Sequence, residues 1–185
     1  MALHYAADNL LIMDYNRVLK SLNGMQSNEF LDKLGEHFDI QPIEPGSDTR
    51  PGGIHKVSLY LEKKWYRLTM KESSIDKTSA CTQIDSHLLT ALVLTPMLGI
   101  VDIKRDPRID FVGGMRGHKE LEKRCDEDCI AAFAMHPVEI EELIKVADAG
   151  EIMPPKSTWF EPKPRSGFVV RRFKDWTKGN HSKEK

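Results

Sequence analysis

Hydrophobic and polar positions alternate with period two across residues 10–19. Leu10, Ile12, Asp14, Asn16 and Val18 fall on one face of an extended strand, and Leu11, Met13, Tyr15, Arg17 and Leu19 on the other. Together with residues 3–5 and a turn around Asp8-Asn9, this pattern predicts an antiparallel hairpin. Asp14 and Asn16 thereby share a face and form a candidate polar pair. The period then changes: Phe30, Leu31, Leu34 and Phe38 recur at helical spacing behind Ser27 as a cap, with Glu29 complementing the helix dipole in the first turn. Residues 42–53, with Pro45, Gly46, Pro51 and two further glycines, predict a flexible loop. Residues 57–62 and 65–71 form a second hairpin turning at Lys63-Lys64, without the glycine usual there.

A polar stretch, residues 72–82, reads as a linker between a hairpin and helix lobe, 1–71, and a second lobe, 83–173. In the second lobe Leu88, Leu89, Leu92 and Val93 mark an amphipathic helix that Pro96 bends or ends. Residues 109–112 predict a strand, followed by Gly113-Gly114 and a short helix around Leu121. Residues 129–135 are almost wholly apolar, as in a strand covered on both faces. Pro137 opens a last helix whose expected buried stripe is Ile140, Leu143, Ile144 and Ala147, stopped by Gly150. The order strand, helix, strand, helix favours a right-handed crossover and at least one parallel strand pair. The expected fold is α+β: a mixed β-sheet with packed helices, two hairpins in the first half and a β-α-β-α unit in the second. A basic tail, 174–185, is expected to be disordered.

Composition narrows the function classes. The 185 residues carry 27 basic and 28 acidic side chains, a net charge of −1, so no global field favours nucleic acid or an acidic membrane. No apolar run reaches bilayer length and the start lacks a signal-peptide pattern, which points to the cytoplasm. Three cysteines, Cys81, Cys125 and Cys129, are an odd count that argues against a disulfide framework, and none has metal-site company. The seven histidines are scattered, His87 and His136 reading as surface or capping residues. No acid, base and nucleophile constellation can be assembled from spacing, which leaves enzymatic activity and any cofactor open.

Two stretches carry candidate chemistry. Val112-Gly113-Gly114-Met115-Arg116-Gly117 follows a strand and opens a helix, where exposed amides suit an anion and missing β-carbons permit close approach; Arg116, His118 and Lys119 strengthen that field. Paired glycines also serve plain tight turns. The proline-stiffened loop, residues 153–167, could deliver Lys156, Ser157, Thr158, Arg165 and Ser166 to a phosphate or carboxylate, or could lock a domain edge, with Trp159 and Phe160 as a stacking wall or core anchor. Asp14 and Asn16 could orient a ligand or satisfy neighbouring backbone.

Met13-Asp14-Tyr15-Asn16-Arg17-Val18, Leu22-Asn23-Gly24, Trp65-Tyr66-Arg67-Leu68, Arg108-Ile109-Asp110-Phe111-Val112-Gly113-Gly114 with Arg116-Gly117, Ala147-Asp148-Ala149-Gly150 and the proline loop resemble the bacterial family known as domain of unknown function 1015. The resemblance runs from about residue 3 to 170. It departs at Pro164, where the family usually has Leu. It implies a longer protein whose upstream part, with a Gly-His-His-Arg segment similar to the nucleotide-binding ParB and sulfiredoxin superfamily, precedes this chain. The family is often encoded beside serine-biosynthesis genes, which suggests a phosphorylated or amino-acid metabolite. The reading reached is a binding domain for a small anionic metabolite or nucleotide phosphate, completed by that upstream domain. The alternative is an interaction or assembly module docking through the proline loop, with a homo-oligomer as one form. Neither reading calls for a membrane or a nucleic acid.

Overall fold

The alternating stretch near the start folds as two strands rather than one. In the computed structural model, which describes residues 10–161 and 163, β1 (Leu11–Met13) and β2 (Tyr15–Leu19) are separated at Asp14 and enter different sheets. After α1 (Ser27–His37) come β3 (Phe38–Ile43), β4 (Lys56–Leu61) and β5 (Lys64–Met70). The second half contains α2 (Asp85–Leu89) running into a π-type turn (Thr90–Leu94), β6 (Ile109–Gly113), a tight turn (Gly114–Arg116) and α3 (Gly117–Glu127), then β7 (Ala131–Met135), α4 (Ile140–Asp148) and β8 (Trp159–Glu161). Residues 3–5, the expected partner strand of the first hairpin, lie outside the described residues, as does the tail from 174.

Six strands form one sheet in the order β3-β5-β4-β7-β2-β6, and β1 pairs with β8 in a two-stranded ribbon. Strands from both halves of the chain alternate in the larger sheet: β4 pairs with β7, and β2 is inserted between β7 and β6. The class is α+β. Every hydrogen-bonded pair among the described residues is antiparallel. The parallel relation expected from the crossover exists between β6 and β7, which both run antiparallel to β2, but β2 lies between them and takes their hydrogen bonds.

Residues directly opposite on paired strands point to the same side of a sheet, so the register assigns two faces. On one, Val18, Tyr60, Trp65, Val112 and Ala132 pack with Leu121 of α3. On the other, Leu19, Leu59, Phe133 and Met135 pack with Phe30 and Leu34 of α1 and Leu88 and Leu89 of α2, Phe30 meeting Phe133 edge-on at 6.5 Å. β7 is buried along its whole length, the two-sided cover that its apolar run requires.

Several local expectations shift. Ser27 is the first helical residue of α1 and Gln26 takes the cap position. Phe38 leaves that helix to start β3, which occupies the first part of the expected 42–53 loop; it survives as a strand with Pro42 in it because it lies at the sheet edge. The β4–β5 turn is centred on Glu62 and Lys63, at φ 49 and 61. These are the left-handed values a two-residue hairpin turn demands, and here ordinary side chains adopt them. In α4 the residue that reaches the core is Val146, packed with Ile84 and Val138, whereas Ile144 is 50% exposed and Ala147 is exposed. The helix docks on a small cluster at the rim rather than across the sheet, so only a narrow stripe is covered.

Candidate functional site

At the end of β2 the backbone divides neighbouring side chains between two very different surroundings. Asp14 and Asn16 point to the α3 side. The Asn16 amide donates to the Asp14 carboxylate, and its Oδ1 accepts the Met135 N–H at 2.9 Å. The Gly114 N–H donates to the Asp14 carbonyl at 2.9 Å, and a β-carbon on Gly114 would lie 2.0 Å from Asp14 Oδ1. The close approach expected at the paired glycines is therefore made first by the protein's own carboxylate.

Beside it opens a cleft of about 610 Å³ whose walls include Asp14, Asp48, Thr49, Arg50, Gly114, Gly117, His118 and His136. The Gly117 N–H at the start of α3 donates to the Gly114 carbonyl, and no side chain caps this end of the 11-residue helix. Gly117 holds φ 67, a left-handed value natural to glycine. Across the cleft, Arg50 pairs with Asp48 at 2.8 Å, and its bonds hold the Asp48 carboxyl down to about 2. Arg67 of β5 donates to the carbonyls of Asp48 and Arg50 at 2.8 and 2.9 Å, which fastens this loop to the sheet. His118 Nδ1 lies 2.6 Å from Thr49 Oγ1, and its ring stacks on Trp65 at 5.4 Å. Burial pushes its pKa below the ordinary histidine value, which favours the neutral ring. Trp65 Nε1 donates to Glu122 at 2.8 Å, fixing the indole under the imidazole.

Tyr15 and Arg17 point to the opposite side. Arg17 is 1% exposed; it donates to the Lys156 carbonyl at 3.0 Å and to the Tyr15 carbonyl, and its guanidinium lies 5.8 Å from the Phe111 ring centre. Burial pulls its pKa down to about 10, against the raising influence of Tyr15 and Asp85. The Lys156 ammonium sits 5.4 Å from the centres of both the Tyr15 and Phe111 rings and 3.3 Å from the Tyr15 hydroxyl. Trp159 packs where Gly113 leaves room, a β-carbon there falling 2.9 Å from the indole, and meets Tyr15 edge-on at 5.3 Å. Lys163 lies 3.5 Å over the same indole.

Asp14, Asn16 and Gly114 are thus brought together, while Gly113 faces Trp159 on the other side of the sheet. Arg116 stands beside them but turns outward, 3.7 Å from Glu120. Lys156, Ser157 and Thr158 belong to the loop on the other side of the sheet, with Ser157 buried, while Arg165 and Ser166 lie outside the described residues. Asp48, Thr49 and Arg50 did not stand out in the sequence, and Arg67 did so only within the Trp65-Tyr66-Arg67-Leu68 resemblance. The one local signal was Asp48 itself, whose carboxylate accepts the Arg50 N–H at 2.9 Å as a turn-forming Asp does.

Residues 1–91 match the family model described as a protein of unknown function (DUF1015). The match takes in just under half of the chain. The DUF1015 stretch supplies Asp14, Asn16, the Asp48–Arg50 loop and Arg67, while the α3 turn lies beyond it. No curated protein matches the sequence. Among solved structures, the fold is similar to a free serine kinase in complex with AMP (16% identity, TM-score 0.52, 85% of this chain and 56% of that one). It is likewise similar to a mutant of a free serine kinase in complex with ADP (16%, TM-score 0.51, 85% and 56%) and to a conserved hypothetical protein from Pyrococcus furiosus (16%, TM-score 0.51, 85% and 59%). The chain therefore spans a little over half the length of these proteins, and at such identity the likeness is one of fold. Among the described residues no helix is long and apolar enough to cross a membrane, and no three metal-ligating side chains converge.

Proposed function

We propose that this chain is a binding domain for a small phosphate-bearing metabolite or nucleotide, held by its phosphate between the Asp48–Arg50 loop and the start of α3. The observation that carries this reading is the uncapped start of α3 opening onto a cleft whose facing wall presents the Arg50 guanidinium. Helix amides and a planar cation together satisfy several oxygens of one anion. Asp14, already oriented by Asn16, adds an acceptor for a ligand hydroxyl. The solved structures of similar fold that hold AMP or ADP support a nucleotide among the candidates. Because the chain spans just over half of those proteins, their kinase activity is not carried over to it.

The assembly reading has less to rest on, since the described part of the proline loop is engaged with its own sheet through Arg17, Tyr15 and Gly113. The test is isothermal calorimetry and thermal shift with inorganic phosphate, AMP and ADP. A ligand of the native state raises the melting temperature by mass action. Arg50→Ala should weaken binding about tenfold or more and leave the unliganded melting temperature unchanged, because its side chain is exposed. Failure of all three compounds to bind the parent chain overturns the proposal.

A further inference from the structure

A second depression adjoins the first on the same side of the sheet. It measures about 640 Å³, is floored by Tyr60 and Trp65 with Ile43 and Lys119 at its sides, and shares Thr49 and His118 with the phosphate cleft. The partition is thus one hydrogen-bonded pair of side chains, 2.6 Å apart. The two compartments differ in chemistry. The first is walled by Asp14, Arg50 and helix amides, whereas the second has paired aromatic rings 5.0 Å apart.

Beneath the partition runs the sheet row Arg67, Ser58, Ala134, Asn16, as the register places them. In this row the fully buried Ser58 hydroxyl and the Arg67 Nε have no hydrogen-bond partner among the described residues. Buried polar atoms are rarely left unpaired, and each costs free energy until a water or a ligand atom meets it. Through its Nη2, Arg67 also donates to the Asp48 and Arg50 carbonyls, which ties this row to the loop that carries Thr49.

We propose that the two depressions form one bipartite site for a nucleoside phosphate, with the phosphate at Arg50, the sugar beside His118 and the base over the Tyr60–Trp65 floor. The proposal rests on the reading of the first cleft as a phosphate site. A heterocyclic base has apolar faces and polar edges, which suits an aromatic and aliphatic floor with an ammonium at the rim. Combined, the compartments exceed what a phosphate or a small sugar phosphate fills. His118 has Nδ1 committed to Thr49, which leaves Nε2 as the ring's remaining polar atom for a sugar hydroxyl.

The test is calorimetry on the whole chain with AMP, ribose 5-phosphate, adenosine and a sugar bisphosphate. AMP should bind at least about tenfold more tightly than ribose 5-phosphate, and adenosine more weakly than AMP. Ser47 lines only the second depression and is exposed. Ser47→Trp should therefore bring AMP down to the level of ribose 5-phosphate while changing the latter by less than about twofold, circular dichroism confirming the fold. Equal affinity for AMP and ribose 5-phosphate, an unaltered AMP affinity in Ser47→Trp, or tighter binding of the bisphosphate than of AMP overturns the base compartment. In each of those cases, binding of ribose 5-phosphate that still depends on Arg50 leaves the phosphate cleft standing. No binding by any phosphate compound removes both readings.

Discussion

Two surfaces meet at the end of β2, one open and one closed, and consecutive residues of a single strand feed them. On the closed side, Arg17, Tyr15, Phe111, Lys156 and Trp159 interlock until the cations lie over rings and the guanidinium is out of solvent. On the open side Asp14, Arg50 and His118 line a cleft with helix amides at its wall. The closed side contains the more conspicuous sequence. The 153–167 loop is dense in cations, hydroxyls and prolines, and in its described part Lys156 lies against the Tyr15 and Phe111 rings and Trp159 against Gly113. The open side is built from residues distant in sequence, and the loop that completes it looked like ordinary connection. What separates the two sides is exposure: Arg50 stays open to solvent although Asp48 already pairs with it, whereas Arg17 is enclosed.

The sharpest way to break this contrast is Arg17→Ala. If the closed face is structural, the substitution leaves the Lys156 and Tyr15 carbonyls without their donor and opens a cavity against Phe111. A loss of about 3 kcal/mol in urea unfolding is expected from an orphaned buried network plus cavity. Phosphate-ligand affinity measured well below the unfolding transition should stay within about twofold, since the cleft lies across the sheet. A stability change under about 0.5 kcal/mol would show that the buried guanidinium does not hold the loop.

Adjacent glycines sharpen the same contrast, because each faces a different side. Gly114→Val drives its side chain into the Asp14 carboxylate and Gly113→Ala drives a methyl into the Trp159 ring. Overpacking of this kind costs about 2 kcal/mol. Both variants should be destabilised, but only Gly114→Val should also lose phosphate-ligand affinity, through displacement of Asp14 and the turn into α3. Equal loss of ligand binding in the two variants would mean that the faces are not independent.

Much of the fold was legible because burial imposes a period. The β4–β5 hairpin, β6, the wholly apolar β7 and the helices around Leu34 and Leu121 follow from patterns of two or near four. What escaped was set by tertiary partners. The break at Asp14 reflects a change of partner, β1 pairing with β8 and β2 with β6 and β7, and β2 enters between β7 and β6 by long-range pairing that no local pattern encodes. For the candidate site, Asp14, Asn16 and Gly114 were legible as polar or glycine anomalies beside strands. Arg50 and Thr49 were not, since their roles come from Arg67 pinning the loop and His118 meeting Thr49 across 69 residues of sequence.

The smallest expected effect separates the two sides by pH. On the open side, burial lowers the His118 pKa. As pH falls below the ordinary histidine value the unfolded chain takes up the proton first, so this group favours the native state at higher pH and withdraws that support as acid is added. On the packed side, His55 donates to the buried Asp85 at the start of α2, N–H and ring both lying within 3.1 Å of the carboxylate, and its pKa is raised by that hydrogen bond. Its contribution is fully present below the ordinary histidine value and is lost as pH rises through the raised native value. The two slopes oppose each other. His55→Asn, which keeps a residue tolerant of the φ of 60 found there, should leave unfolding stability declining more steeply on acidification from neutrality than in the parent chain. His118→Gln should do the reverse, making stability fall as pH rises. Ligand binding adds a second readout. A phosphate held at Arg50 and the start of α3 favours the imidazolium of His118, in the first turn of that helix, so affinity should increase as pH falls below neutrality, and calorimetry in buffers of different ionisation enthalpy should register proton uptake. Proton uptake retained in His118→Gln would assign it to a group other than His118.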